Sequence, residues 1–557
     1  MIKKRTRLFN LFLLILLLSL PALACRLTNI NIGGGGDAPP SNAVVVDVVA
    51  NASLMPWLET AVSEFNTARI QNEQGNPYFV RLTEAEAGAA VAQLRTGAAP
   101  YALWLPDDPV WVDVLAEQGN PNFQADCLST AQSPLVIAMW RPIAETLGWP
   151  GLPLGWLDVG SLAADPDSWN YYSGGELGDN FRLGHTHPGL SATGSSTLLA
   201  VVQAARLQTE AVSVADVELP IVQASVGAFE SGVAWFGNST SNMGQTMRER
   251  DMTYLSAAIL YESTVVQHGG GEIVAVYPLE GTFMASHPAC LNQSSSSEVR
   301  DGALRFREYL VAEAAQQLAL QAGLRPVNTA VSLASPLDEA HGVNPHQEVA
   351  IFDPPSADTI FAVQELWQQA RKDVNLVMVL DISGSMRGNR MRNMQAAATQ
   401  FVRQMGDDDR ISLITFSSDS ELIVRYAHVG DNREKVASDI QNLTAFGSTA
   451  LYDAIGDGAT LIEETTTPDR TNVLLVLTDG VDNSSGRYSP NQRLFEMAAA
   501  NDTTVVAIAY SSAADASTME TLATETNGIF YLSDEASIEA IYDEISAAFG
   551  GTAGVGR

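Results

Sequence analysis

The stretch Val374-Asn375-Leu376-Val377-Met378-Val379-Leu380-Asp381-Ile382-Ser383-Gly384-Ser385-Met386 decides the fold of the last third of the chain. Residues 374–380 are a nearly continuous apolar run, the pattern of a parallel strand buried on both faces. The run ends at Asp381. The alternation Asp-x-Ser-x-Ser that follows aims side chains of a tight loop at one point, and Gly384 lets the backbone turn there. Working outward, a helix is predicted over 391–405, a strand over 411–416 and an antiparallel edge over 422–425. Phe446-Gly447-Ser448-Thr449-Ala450-Leu451 opens another helix. Residues 473–477 form a strand running into Thr478-Asp479-Gly480, and 505–509 form the next. Such alternation makes an open α/β sheet, with its binding crevice at the carboxyl ends of the strands. Three oxygen-rich loops can meet at that edge with Asp381, Ser383, Ser385, Thr449 and Asp479. A set without Cys or His selects a hard cation, Mg²⁺ or Mn²⁺, over zinc.

These residues resemble the von Willebrand factor A domain and its metal-ion-dependent adhesion site, over residues 373–549, and all five site positions match. The resemblance implies a doubly wound, Rossmann-like domain. It also implies that Ser383 and Ser385 offer hydroxyls directly to the metal, and that Thr449 binds directly or through water. Asp381 and Asp479 would act mostly through water and by orienting the hydroxyls. Neutral ligands leave the cation electrophilic, so an Asp or Glu carboxylate of a protein partner can fill its open position. Binding is therefore expected rather than catalysis. The sequence has no Gly-x-x-x-x-Gly-Lys loop, no Gly-x-Ser-x-Gly elbow and no His-Glu-x-x-His pair.

Upstream, short apolar strands alternate with helices from Ala43. Strands are predicted over 44–49, 102–105 and 134–139, and an amphipathic helix over 56–68 buries Leu58, Val62 and Phe65. A loop-like stretch is expected around 335–355. Some 300 residues of this kind exceed one core and suggest two lobes, because a single core stops growing near about 250–300 residues. Residues 191–197 gather hydroxyls and free N–H groups before an apolar helix expected to start at Leu198, a place that favours an anion or carboxylate. Asn51, Ser53, Asp107, Ser133 and Tyr261 also lie near strand ends. His185 and His187 are spaced like metal ligands, but no carboxylate or third His stands near them in sequence, so a structural role is expected.

Phe65, Trp104-Leu105-Pro106-Asp107 with Trp111, and Ser133-Pro134-Leu135-Val136-Ile137-Ala138-Met139-Trp140 resemble the periplasmic solute-binding proteins. So do Gly184-His185-Thr186-His187-Pro188 running into Ser191-Ala192-Thr193-Gly194-Ser195-Ser196-Thr197, Tyr261-Glu262-Ser263, Tyr277-Pro278 with Glu280-Gly281-Thr282, and Gly323-Leu324-Arg325-Pro326. The resemblance implies two α/β lobes over residues 43–372, closing like a clamshell on a small solute. The candidate solute contacts are Ser53, Asp107, Ser133, Thr193, Ser195 and Tyr261. Cys127 and Cys290 suggest one disulfide in an exported chain, or else two unrelated buried thiols. In the clamshell family the segments crossing between lobes run side by side. That implies a Cys127–Cys290 bridge with Cα atoms about 4.4 to 6.8 Å apart.

At the amino end, Lys3, Lys4, Arg5 and Arg7 precede the apolar run 11–18, which is too short for a comfortable membrane span. Pro21-Ala22-Leu23-Ala24-Cys25 resembles the bacterial lipobox, which implies a signal peptide over 1–25 with Cys25 diacylated. Residues 26–42, with Gly33 to Gly36 and Pro39-Pro40, form a flexible tether, and 550–557 a tail. The 31 basic and 64 acidic side chains give a net charge of −33, which argues against nucleic acid as a partner. The expected protein is anchored by lipid to the outer face of the cell membrane, where it adheres to a partner. The alternative is a substrate-binding component of a transport system, docked through its A domain.

Overall fold

Short runs of β-branched and apolar residues assemble three sheets, and the helices between them cover the sheet faces. The computed structural model describes residues 38–551 except Thr96, Ala98, Ala99, Asp179 and Asn527. The expected signal peptide, Cys25, most of the tether and the end of the tail lie outside the described residues. Among the described residues no helix is long and apolar enough to cross a membrane.

The first lobe is a five-stranded sheet in the order Tyr78–Glu84, Val44–Ala50, Leu103–Leu105, Pro288–Leu291, Cys127–Ser129. Its first three strands are parallel, and the last two run antiparallel to their neighbours. The second lobe is built on Ala131–Trp140, ten residues long, all buried except Gln132. Around it lie Ala257–Tyr261, Leu183–Thr186, Val233–Gly237, Ile273–Val276, Met284–Ala285 and Arg325–Pro326. The chain crosses between lobes at Thr130, again at Ser286 and His287, and a third time between Leu324 and Arg325. The first two crossings are bonded: Thr130 Oγ1 donates to His287 O at 2.6 Å and Ser129 Oγ to Ser286 O at 2.7 Å.

Beside these crossings Cys127 and Cys290 stand opposite each other on adjacent antiparallel strands and form a disulfide. Their Cα atoms are 4.1 Å apart, closer than the sequence-based expectation. Face-to-face residues of an antiparallel pair approach to about 4.5 Å, so strand pairing puts these two at the near end of the expected range.

The expected helix at Leu198 instead begins at Ala192, with Ser191 as its cap residue. Polar residues in the first turns disguised it. Their hydroxyls bond inward, Ser195 Oγ to Pro188 O at 2.6 Å and Thr197 Oγ1 to Thr193 O at 2.7 Å. Gly194 is required there, because a Cβ would lie 2.2 Å from Thr186 O.

The third sheet has the order Ser420–His428, Arg410–Phe416, Asp373–Asp381, Arg470–Thr478, Thr504–Ala509, Ile529–Leu532. It is parallel except for the antiparallel Ser420–His428 edge. Its central strand Asp373–Asp381 is buried from Val374 onward, as its apolar run requires. This domain packs on the second lobe. Phe549 meets Trp235 with ring centroids 5.8 Å apart, and His187 Nε2 bonds Gly551 O at 2.5 Å.

The helix Ala357–Ala370 leads into the third domain. It packs against Val110–Glu117 of the first lobe and against Ala192–Arg206, Val214–Val217 and Pro220–Ser231 of the second. Its Trp367 is buried against His187 and Phe236, and Trp367 Nε1 donates to Glu230 at 3.0 Å. At its end Arg371 pairs with buried Asp409 at 3.2 Å, and Asp409 also accepts from Val374 N and Gly406 N.

Candidate functional site

The carboxyl end of the third sheet gathers the three oxygen-rich loops. Asp381 is fully buried and organises them: Oδ1 accepts Ser383 N at 2.7 Å, and Oδ2 accepts Thr478 Oγ1 at 2.7 Å. The hydroxyls of Ser383 and Ser385 lie 2.9 Å apart, and Ser385 Oγ donates to Asp479 Oδ1 at 2.6 Å. Gly384 N donates to Gly447 O at 3.1 Å, bringing the second loop against the first. Thr449 is fixed by Asn483, whose Oδ1 accepts its N–H at 2.9 Å and whose N–H donates to its carbonyl at 3.0 Å. A Cβ on Gly480 would sit 3.7 Å from Thr449 Oγ1 and 3.8 Å from Ser385 Oγ, so both hydroxyls border the same small space.

The donor set suits a hard cation. It is built from hydroxyls with two carboxylates behind them, and among the described residues no three His, Cys, Asp or Glu side chains form a metal cluster. Burial pushes Asp381 up to about 6, and a divalent cation beside it would favour its ionised form. Sequence reasoning missed Arg390, whose Nη1 lies 2.9 Å from Asp479 Oδ2. It neutralises part of the negative charge behind the hydroxyls, so a cation held there would keep more of its own.

The cleft between the lobes brings together some of the expected residues and leaves others aside. Ser53 Oγ donates to Asn51 Oδ1 at 2.5 Å, and Asn51 Nδ2 donates to His287 Nδ1 at 3.3 Å. Tyr261 Oη donates to Asp107 Oδ1 at 2.8 Å across the lobes. Ser133 bonds Ser263, and Ser195 is held by Pro188 O. Thr193 Oγ1 bonds Thr186 Oγ1 at 2.6 Å and Ser191 Oγ at 3.0 Å. His185 is sandwiched between Thr186 O and Glu230, a structural role like that of His187.

At the start of the Ala192–Arg206 helix, where an anion or carboxylate is expected, the chain places a carboxyl of its own. Glu86 of the first lobe accepts Ser191 Oγ at 2.6 Å, and its other oxygen accepts Ala52 N at 3.2 Å. Only its position before the small residues Ala87 and Gly88 hinted at this. Gly88 N donates to Leu190 O at 2.9 Å, and a Cβ at Gly88 would lie 2.1 Å from Gly189 O. Gly88→Ala is therefore expected to wedge the lobes apart. Small-angle scattering should then give a larger radius of gyration than the wild type, and an unchanged radius would refute the close approach.

Burial holds Glu86 up to about 8, with the Asp107 charge adding to the shift, and burial holds Asp107 up to about 7. Glu84, Asp108, Tyr261 and His287 stand around them, and none supplies a lasting positive charge, since burial holds His287 down to about 3. Carboxyls raised in the folded state keep protons that the unfolded chain has lost, so stability falls as pH rises toward the folded values. Buried neutral His187 and His287 act oppositely, but only below their unfolded value near 6.5. Between about pH 6.5 and 8 the acids act alone. The unfolding midpoint of the two-lobed domain is expected to fall across that window, and less steeply in Glu86→Gln. A flat wild-type profile would contradict this.

Fold and sites together define the class: a two-lobed solute-binding clamshell joined to a doubly wound domain with a hydroxyl-rich loop cluster. The family model for bacterial extracellular solute-binding proteins matches residues 46–325, and that for the von Willebrand factor type A domain matches 375–544. The chain belongs to the bacterial extracellular solute-binding proteins and carries a von Willebrand factor type A domain. It is similar to the uncharacterized protein sll0103 of Synechocystis sp., 33% identical over 112 residues, covering 20% of this chain and 26% of that protein. The chain thus spans about a quarter or less of the first curated relatives it matches. Among solved structures, the ferric binding protein of Campylobacter jejuni covers 58% of this chain and is itself 99% covered, at 9% identity and TM-score 0.41. The von Willebrand factor type A protein of Catenulispora acidiphila covers 32% and is 42% covered, at 17% identity and TM-score 0.29.

Proposed function

We propose that this chain is an exported, lipid-anchored binding protein that holds a partner protein through Mg²⁺ or Mn²⁺. The metal would sit on Ser383, Ser385 and Thr449, with an Asp or Glu carboxylate of the partner completing its coordination. One observation carries the reading: two hydroxyls 2.9 Å apart, one of them bonded to Asp479, over a buried Asp381 that fixes the loop. Hydroxyl ligands leave a hard cation enough positive charge to attract an outside carboxylate. The test is binding of Glu-containing peptides to the immobilised chain in Mg²⁺ and in excess EDTA. Binding only with metal supports the reading, and binding that survives EDTA sinks it.

A second reading is a substrate-binding component of a transport system, docked through the type A domain. The hinged lobes and their buried polar cleft favour it. Permease and ATPase genes beside this one would support that reading. Anchoring rests on Cys25, so Cys25→Ser should leave an uncleaved precursor or a released chain, since a hydroxyl cannot take the thioether-linked lipid. A processed Cys25→Ser chain of unchanged mobility in the membrane fraction would refute the anchor.

A further inference from the structure

Between the lobes lies a cavity of about 20 Å³, bordered by Asp107, Asp108 and Trp111 on one side and by Leu135, Tyr261 and Phe283 on the other. Space of that size holds one water or one ammonium group. Asp107 is 1% exposed. Its Oδ1 accepts the Tyr261 hydroxyl, while its Oδ2 is buried and has no hydrogen-bond partner among the described residues. A buried carboxyl oxygen left unpaired is costly, and a cation, which draws the group into its ionised form, is the group that relieves it most.

The rest of the wall points the same way. No Lys, Arg or His borders the cavity, and the other polar side chains of its lining are the Asp108 carboxyl, the Tyr261 and Ser196 hydroxyls and the Trp111 indole N–H. The nearby carboxyl of Glu86 is turned to Ser191 and Ala52 and adds a further acid. Sulfate, phosphate esters and carboxylates would meet two carboxyls here, with no cationic side chain to offset them and only hydroxyls and the first turn of the helix Ala192–Arg206 in their favour. Trp111, Tyr261 and Phe283 instead offer aromatic surface, which attracts cations and the carbons beside them.

We propose that this cavity is the binding site of a small organic amine, its ammonium group seated on Asp107 Oδ2 and its carbons against Trp111, Leu135 and Phe283. The ammonium takes the place a water can fill, and the lobes part to admit the remainder of the molecule. The site is independent of the metal loops, so it stands or falls without them.

Putrescine is the probe, with sulfate and glucose 6-phosphate as oxyanion controls, measured by calorimetry on the full chain. Wild type should bind putrescine saturably and neither oxyanion. Asp107→Asn should bind it about tenfold more weakly or worse, because a charge-assisted bond is lost. Ser196→Lys places an ammonium in the wall of the same cavity and should abolish the response, which keeps the test decisive even if the Asp107 variant misfolds. The proposal is overturned if putrescine does not bind, if the oxyanions bind instead, or if both variants bind it like the wild type. The last result would assign the binding to the acidic surface at large.

Discussion

Asp381→Ala is expected to bind Mn²⁺ about 10–100-fold more weakly than the wild type while unfolding as cooperatively. The loss follows from what the carboxylate holds. One oxygen fixes Ser383 N and the other fixes the Thr478 hydroxyl, so without them the Ser383 and Ser385 hydroxyls lose their orientation. The structural cost falls on three donors that lose their acceptor, Ser383 N, the Thr478 hydroxyl and, more weakly at 3.4 Å, Asp479 N, about 1–3 kcal/mol for each left unpaired. That is small beside the packing of the buried strand Asp373–Asp381 between Arg410–Phe416 and Arg470–Thr478. Ser383→Ala should weaken the metal comparably with less effect on stability. In both variants partner binding should fall to the level of wild type in excess chelator. Equal Mn²⁺ affinity in Asp381→Ala would end the metal reading of these loops.

The second large effect belongs to the other domain. Replacing Cys127 and Cys290 with Ser is expected to lower the stability of the two-lobed domain by about 4–5 kcal/mol, the loop-closure contribution of a bridge this long. The sequence separation is 163 residues, so the bridge removes much of the freedom of the unfolded chain. It also lies beside the Thr130 and His287 crossing, where the strands of both lobes are tied. Denaturant unfolding followed by tryptophan fluorescence measures the change, and Mn²⁺ binding by the type A domain should be unaffected. A double variant as stable as the wild type would show that strand pairing alone fixes the crossing.

Particular residues show why some of this was legible in the sequence. The run 374–380 could be placed because a strand buried on both faces needs an unbroken apolar segment. The loops after it carry their chemistry at fixed short spacings. From sequence the Ala192–Arg206 helix reads as starting late because Ser and Thr signal caps, and nothing local reveals that their hydroxyls bond inward. Arg390 stands in the first turn of the helix Asn389–Gln404, entered through Gly388 at φ 94°, and meets Asp479 across 89 positions, which no local pattern announces. Glu86 meets Ser191 across 105 positions, a contact set by lobe closure and by no local pattern.

The helix Ala357–Ala370 gives the molecule the character of a splinted joint. It touches both lobes, and Arg371 at its end is clamped to Asp409 in the type A domain. The type A domain is also seated on the second lobe through Phe549 and Gly551. Three bodies therefore share one articulation. When the lobes part, the splint must slide off Val110–Glu117 or off its neighbours in the second lobe. If it stays with the second lobe, the type A domain swings with that lobe as a pendulum does with its arm. The direction in which the Asp381 loops face, measured from the amino-terminal lobe, then becomes a dial of the angle between the lobes.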